Sequence, residues 1–305
     1  MIDIIGKRNW FFLISGLLVL ISIISLATVG LKPGIEFSSG SMLTVKFVEP
    51  VDYSDFKQEV ANLGYGTAII QRTGAGDYLI RTKELSTEEK EQIEAGLEAK
   101  FGALSEAQFS SVSPQVATET INNAIIAVAV AAVGILLYVT WAFRRMPKPF
   151  RYGTCAVIAL LHDAIVALGI FSILGAFLDW ETNLMFITGI LAIIGYSVNN
   201  TVVIFDRIRE NLMKGISTDF EIVVNSSLVE TLSRSMNTSL TTIITVLAIL
   251  LFVGSTIQNF AVVLLIGIIA GTFDSICVAP GLLVVWDKNE WGKLIPWRKA
   301  ARAKA

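Results

Sequence analysis

The chain has 305 residues, 53% of them hydrophobic and 16% charged, with a net charge of −2. A soluble domain carries about 45–50% apolar and about 25% charged residues, so the composition excludes an ordinary cytosolic enzyme and a disordered chain, and it offers no basic field for nucleic acid. Two cysteines inside apolar runs, Cys155 and Cys277, argue against a disulfide framework or zinc cluster; the single histidine, His162, rules out a multi-His metal site; no cofactor motif is present.

The first apolar run, Trp10–Val29, holds no charge. At about 1.5 Å per helical residue it spans about 30 Å, the thickness of a bilayer's hydrocarbon core. It is too long for the apolar part of a secretion signal and is read as a retained helix. Residues 1–30 therefore form an N-terminus and a first span.

Residues 31–120 read as a small α+β domain. Ser41–Val48 alternates, with Leu43, Val45 and Phe47 on one face, which predicts a strand. Tyr53–Leu63 has helical spacing and ends at Gly64, a C-cap residue. Thr67–Arg72 and Asp77–Lys83 are two strands about a Thr73–Gly76 turn. Ser86 and Glu89 make a capping box for a helix through Ile93, Leu97 and Phe101, and Ala107–Val112 is a last strand before Pro114. The order βαββαβ is the ferredoxin-like plan. No paired acids or phosphate loop occur in it, so it reads as a scaffold or contact domain.

Five more apolar runs follow: Ile121–Phe143, Tyr152–Leu178, Leu184–Phe205, Met236–Gly254 and Phe260–Trp286. The expected fold is an α-helical polytopic membrane protein with six spans and one extracytoplasmic α+β domain. Residues 121–286 hold spans two to six, with an amphipathic segment at 217–232 lying along the membrane interface, and 287–305 form a basic tail. Lysine and arginine fill the N-terminus, the 144–151 and 206–234 connections and the tail, whereas Asp179–Asn183 and Ser255–Asn259 hold no base. By the positive-inside rule both termini are cytoplasmic. The long domain at 31–120 is exempt from that rule and lies outside.

The most informative run is GYSVNNTVVIFDRIREN at 195–211. Its first half is polar within a span: Ser197, Asn199, Asn200 and Thr201. Unpaired amides are costly in lipid, so these face helices or water. Ser197, Asn200 and Thr201 share one helix face. Its second half, with Asp206, Arg207, Arg209 and Glu210, reads as a solvated charge network at the membrane edge. Gly189, Gly195, Gly267 and Gly271 read as close-packing positions between helices.

That run, with Gly195, Tyr196, Ser197, Asn199, Thr201, Asp206 and Arg207, resembles the signature of the SecF family of bacterial Sec accessory membrane proteins, within the RND transporter superfamily. Leu161-His162-Asp163 is similar to the family's HD motif. Gly34–Gly40, with Glu36 and Gly40, resembles its G-x-D-F-x-G-G motif, and Thr231–Ser239 its entry to span five. The resemblance covers nearly the whole chain. It implies an RND-type half of six spans that pairs with SecD, associates with the SecYEG channel and possibly YajC, and meets SecA indirectly. It further implies that proton motive force helps exported polypeptide across the bacterial plasma membrane late in translocation, without enzymatic chemistry.

Three positions depart from the family pattern. Asn200 stands where the family usually has Asp, Glu36 where it usually has Asp, and Asp274 where an uncharged residue is usual. Asn cannot carry a proton. Asp274 lies about 21 Å into its span and Asn200 about 24 Å into its own, counted from the same side. The expectation is that the titrating acid has moved from position 200 to Asp274, with Arg234 as its counter-charge. Arg234 otherwise suits an interfacial position at the start of span five. Asp163 reads either as a structural hydrogen-bond partner or as a second proton group. Two other functions fit the composition: a stand-alone RND-type exporter of small molecules or lipids, and a membrane protease built on Asp163 and Asp274.

Overall fold

The computed structural model describes residues 2–72, 76–178, 180–252 and 257–291. Helix α1 (Arg8–Thr28) leads to a short α2 (Ile35–Ser38). The α+β domain follows with β1 (Gly40–Phe47), α3 (Tyr53–Val60), β2 (Ile69–Arg72), β3 (Tyr78–Thr82), α4 (Thr87–Phe101) and β4 (Leu104–Val112). The remaining helices are α5 (Pro114–Ala142), α6 (Phe150–Leu178), α7 (Leu184–Lys214), α8 (Phe220–Phe252), α9 (Gln258–Cys277) and α10 (Ala279–Asp287).

The sheet order is β2-β3-β1-β4, antiparallel throughout. It is the order that βαββαβ connectivity gives when both helices cross one face. The period of two in β1 decides that face: Leu43, Val45 and Phe47 are buried with Phe56 and Val60 of α3 and Ile93 and Leu97 of α4. Phe56 stacks on Tyr78 with ring centroids 4.1 Å apart. The capping box of α4 is made in both directions, Glu89 N–H donating to Ser86 Oγ at 3.2 Å and Ser86 N–H to Glu89 Oε2 at 2.8 Å. Helix α3 stops at Val60 rather than Leu63, and a wider turn through Ala61–Tyr65 carries Gly64 at φ +98°. Strand β4 starts three residues before the predicted Ala107. Residues 73–75 of the predicted hairpin turn lie outside the described residues. Gly40 opens β1 at φ +116°, and a Cβ there would stand 2.5 Å from the Thr82 carbonyl oxygen, so only glycine lets β1 close on the end of β3.

Six helical segments among the described residues are long and apolar enough to cross a membrane, α9 and α10 together making the sixth. They sort by burial. More than half of the apolar window is buried in α6 and in α9–α10, against 6% in α5 and 17% in α1 and α8. The centre of the bundle is therefore α6, α7 and α9. Helix α1 is inverted relative to a soluble helix: Ser15, Ser22 and Ser25 are buried while Trp10, Leu13, Leu17, Ile21 and Ile24 are exposed. Small polar residues face protein and large apolar ones face outward, as expected where lipid is the solvent. A Cβ on Gly169 would fall 2.2 Å from Ser22 Cβ, which shows how closely α1 and α6 approach.

Contacts at the two ends of the bundle fix which loops share a side. At one end the chain after α1 pairs with the α6–α7 connection, where Gly34 N–H donates to Thr182 O at 2.7 Å, and Asn259 in the first turn of α9 donates to Glu181 O at 2.7 Å. At the other end Ile4 and Ile5 N–H both donate to Asn225 Oδ1, and Arg8 pairs with Glu221 at 2.5 Å and Glu290 at 2.8 Å. An even number of spans requires this arrangement.

Two elements differ from expectation. The 217–232 segment is not a separate helix along the interface: α8 runs unbroken over Phe220–Phe252, and Val224 and Leu228 are buried in one cluster with Ile204 and Ile208 of α7. Its apolar face meets protein, so it needs no lipid surface. The last span is broken at Val278, because Pro280 has no N–H to give the Ile276 carbonyl and its ring crowds that turn.

Candidate functional site

The polar residues of the bundle centre converge from its three buried helices. Helix α6 brings His162 and Asp163, α7 brings Ser197, Asn200 and Thr201, and α9 brings Asp274 and Ser275; all seven are buried. The approach of α9 depends on its glycines. A Cβ on Gly267 would stand 2.1 Å from Ile193 Cγ1, and one on Gly271 would stand 3.0 Å from Asp163 Oδ2 and 3.1 Å from Ser197 Cβ. Gly189 lies similarly close to Val263, with its Cβ position 3.1 Å from Val263 Cγ1. Gly195 differs: it is exposed and its Cβ position has nothing within 4 Å, so it is not a packing glycine within this chain.

Two polar groups result. The first is charged. His162 Nδ1 lies 3.1 Å from Asp163 Oδ1 and 3.6 Å from Asp274 Oδ1. Ser197 Oγ–H donates to the other Asp163 oxygen. Among the described residues, both Asp274 oxygens and His162 Nε2 are buried without a hydrogen-bond partner. The second group is neutral. Asn200 Nδ2 donates to Ser239 Oγ at 3.3 Å, and Ser239 Oγ also receives Tyr196 OH at 3.2 Å and Thr272 Oγ1 at 2.6 Å. Thr201 and Ser275, which follow Asn200 and Asp274 in sequence, meet with their hydroxyl oxygens 2.9 Å apart. Asn200 and Asp274 are thus next-door neighbours in sequence to a pair in direct contact, as their matched depths predict.

The counter-charge expected for Asp274 is not Arg234. Arg234 is exposed on α8, whereas Asp274 is 0% exposed and has His162 within salt-bridge distance. Asp163 and Asp274, the acids of the protease alternative, present carboxylate oxygens within 4.8 Å of each other and are both 0% exposed. Asn199 is exposed on the side of α7 turned away from the cluster. Asp206 and Arg207 lie in ion pairs at the end of α7: Arg209–Asp206 at 2.6 Å, Arg207–Glu210 at 2.5 Å and Arg207–Glu230 at 2.5 Å. Glu36 and Gly40 lie on α2 and at the start of β1. Thr272 and Ser275 were missed in the sequence because isolated hydroxyl residues in an apolar helix carry no spacing signal, and Ser239 entered only as the last residue of the Thr231–Ser239 stretch.

Chemically, the charged group is an imidazole facing two carboxylates in a dry interior. The three donor atoms lie within 4.8 Å of one another. Three donors fall short of the roughly four to eight that structural cation shells use. Carboxyl and imidazole groups are the side chains that can take up or release a proton, and an unpartnered buried charge is costly. Adding one proton changes the charge of a buried patch that holds three helices together.

Comparison with known proteins places this geometry in a family. The family described as "Protein export membrane protein SecD/SecF, C-terminal" matches residues 92–289, and the "SecD/SecF GG Motif" matches residues 24–51. The protein translocase subunit SecF of Thermobaculum terrenum is 42% identical over 303 residues, covering 95% of this chain and 96% of that one. The corresponding subunit of Anaerolinea thermophila is 38% identical, with 95% and 96% covered. The protein translocase subunit SecDF of Bacillus subtilis is 33% identical across 95% of this chain, which spans only 39% of that protein. Among solved structures, that of SecDF, a translocon-associated membrane protein from Thermus thermophilus, superposes with a TM-score of 0.82 at 30% identity; the match covers 94% of this chain and 39% of that one.

Proposed function

Since the chain belongs to the SecD/SecF family of protein export membrane proteins, we propose that it is an accessory subunit of the Sec protein translocase in a bacterial plasma membrane, paired with a SecD-like subunit and using proton motive force to assist late translocation. The pairing is supported by the likeness to SecDF proteins: this chain matches 39% of the B. subtilis SecDF and 39% of the T. thermophilus SecDF structure. The termini lie in the cytoplasm, supported by the basic connections and tail, and the α+β domain lies outside. The role is conformational, with no catalytic residue.

The observation that carries the proton reading is the buried group His162, Asp163 and Asp274. The family's acid is absent at Asn200, whose amide is held in the hydroxyl network around Ser239. Asp274 supplies an acid one helix away, with both oxygens unpartnered and an imidazole 3.6 Å off. A proton entering this group changes its net charge by one unit and so the attraction between α6 and α9. Helices that meet through glycines and hydroxyls then shift as units.

The test uses vesicles holding this chain with its SecD-like partner and the Sec channel. Export is expected to fall when the pH gradient and voltage are collapsed, and Asp274→Asn is expected to lower proton flux by about tenfold or more. Export that is indifferent to the gradient removes the proton reading and leaves a stabilising subunit. Flux unchanged by Asp274→Asn removes the assignment to Asp274.

A further inference from the structure

The only residue of the α6–α7 connection whose side chain joins the outer domain's sheet, among the described residues, is Glu181. Its Oε1 lies 2.9 Å from Arg81 Nη1 of β3 and accepts from Gln71 Nε2 of β2 at 3.2 Å. Arg81 and Gln71 stand on the face of the sheet opposite the helices, since Ile80 and Tyr78 take the inner face. Arg81 Nη2 also donates to Ser38 Oγ, tying in the end of α2. The backbone on either side of this ion pair is fixed. Thr182 N–H donates to Lys32 O at 2.8 Å, Gly34 N–H donates to Thr182 O at 2.7 Å, and the Glu181 carbonyl accepts from Asn259 at the first turn of α9. Gly34 permits this pairing: a Cβ there would stand 2.7 Å from Thr182 O.

The connection is thus held by the same three helices that carry the buried polar residues. Its two ends are α6 and α7, and its middle carbonyl is held from α9. Any relative shift of those helices moves the backbone at Glu181, and the side chain hands that movement to two adjacent strands. A half-buried ion pair is weak evidence for stability but fixes geometry. Glu36 is the other acid that faces Glu181.

We propose that Glu181, clamped by Arg81 and Gln71, is the positioning residue that transmits the state of the bundle centre to the outer domain during export. The inference rests on the proton-driven reading for what moves the helices, but not for the existence of the clamp. Glu181→Lys sets two cations against each other, and Arg81→Glu adds an acid beside Glu181 and Glu36; each breaks the clamp. The double variant Glu181→Lys/Arg81→Glu restores opposite charges in reversed order.

The experiment measures three quantities on the full complex in vesicles: proton flux, gradient-dependent export, and the spin-label distance between position 58 on α3 and position 177 at the end of α6, with Cys155 and Cys277 replaced by alanine. Each single variant is expected to broaden the distance distribution and to lower export by at least about fivefold, the low end of coupling between sites, with proton flux retained. The double variant is expected to narrow the distribution and recover export. Unchanged distances in the single variants, or a double variant no better than they are, overturns the proposal. Because the distance needs no gradient, it judges the clamp even where the flux measurement refutes proton use.

Discussion

Asp274 Oδ1 lies 3.6 Å from His162 Nδ1, the same nitrogen that stands 3.1 Å from Asp163 Oδ1. One imidazole nitrogen faces two buried acids, contributed by α6 and α9. His162→Ala therefore leaves two close carboxyl groups without their imidazole partner and is expected to destabilise the purified subunit by about 1–3 kcal/mol, the usual cost of leaving a buried polar group unsatisfied. His162→Ala/Asp274→Ser removes the stranded acid as well and is expected to recover most of that loss. Thermal unfolding in detergent measures both; additive losses in the double variant would refute the coupling.

The glycines separate cleanly. Gly267→Ala places a methyl 2.1 Å from Ile193 Cγ1 and is expected to cost about 1–3 kcal/mol, because α7 and α9 must part. Gly195→Ala meets nothing within 4 Å and is expected to be neutral or to gain up to about 1 kcal/mol from helix propensity. The same unfolding assay compares them. Equal effects would contradict the packing described for α7.

Burial pushes the Glu181 carboxyl above the usual glutamate range, with Glu36 adding to the rise and Arg81 and Gln71 opposing it. A carboxyl raised in the docked state binds its proton there more readily than when undocked. Docking is thus favoured in acid and weakens as the pH outside rises from the ordinary glutamate value through the raised one. The spin-label distance between positions 58 and 177 is expected to broaden over that interval, and Glu181→Gln, neutral throughout, is expected to flatten the dependence. Broadening in acid instead would reverse the assigned sign.

The capping box offers a test confined to the outer domain. Ser86→Ala removes the acceptor for Glu89 N–H and is expected to cost about 1 kcal/mol. Hydrogen exchange in the full chain should quicken in the first turn of α4 and leave α6 unchanged. Faster exchange in both would mean that the outer domain and bundle unfold together.

The number of spans and the βαββαβ order were legible in the chain because both are local properties. An apolar run of bilayer length is a helix wherever it lies, and the alternation of Leu43, Val45 and Phe47 specifies a buried face without naming its partner. Asp274 was legible as an anomaly, since a carboxylate deep in an apolar run carries its own cost. The partner of that carboxylate was not legible. Arg234 was the expected counter-charge, but the side of each helix decides contact, and α9 turns Asp274 toward His162 while α8 leaves Arg234 exposed. Gly195 and Gly267 look alike in sequence and face opposite ways. The 217–232 segment has the pattern of an interfacial helix because burial in protein and burial in lipid select the same apolar face. Glu181 lay in a connection notable only for its acids, and Arg81 is 100 residues away. Helix length and strand period are set by neighbours along the chain, whereas ion pairs and close packing are set by how rigid helices rotate against one another, which the folded bundle alone determines.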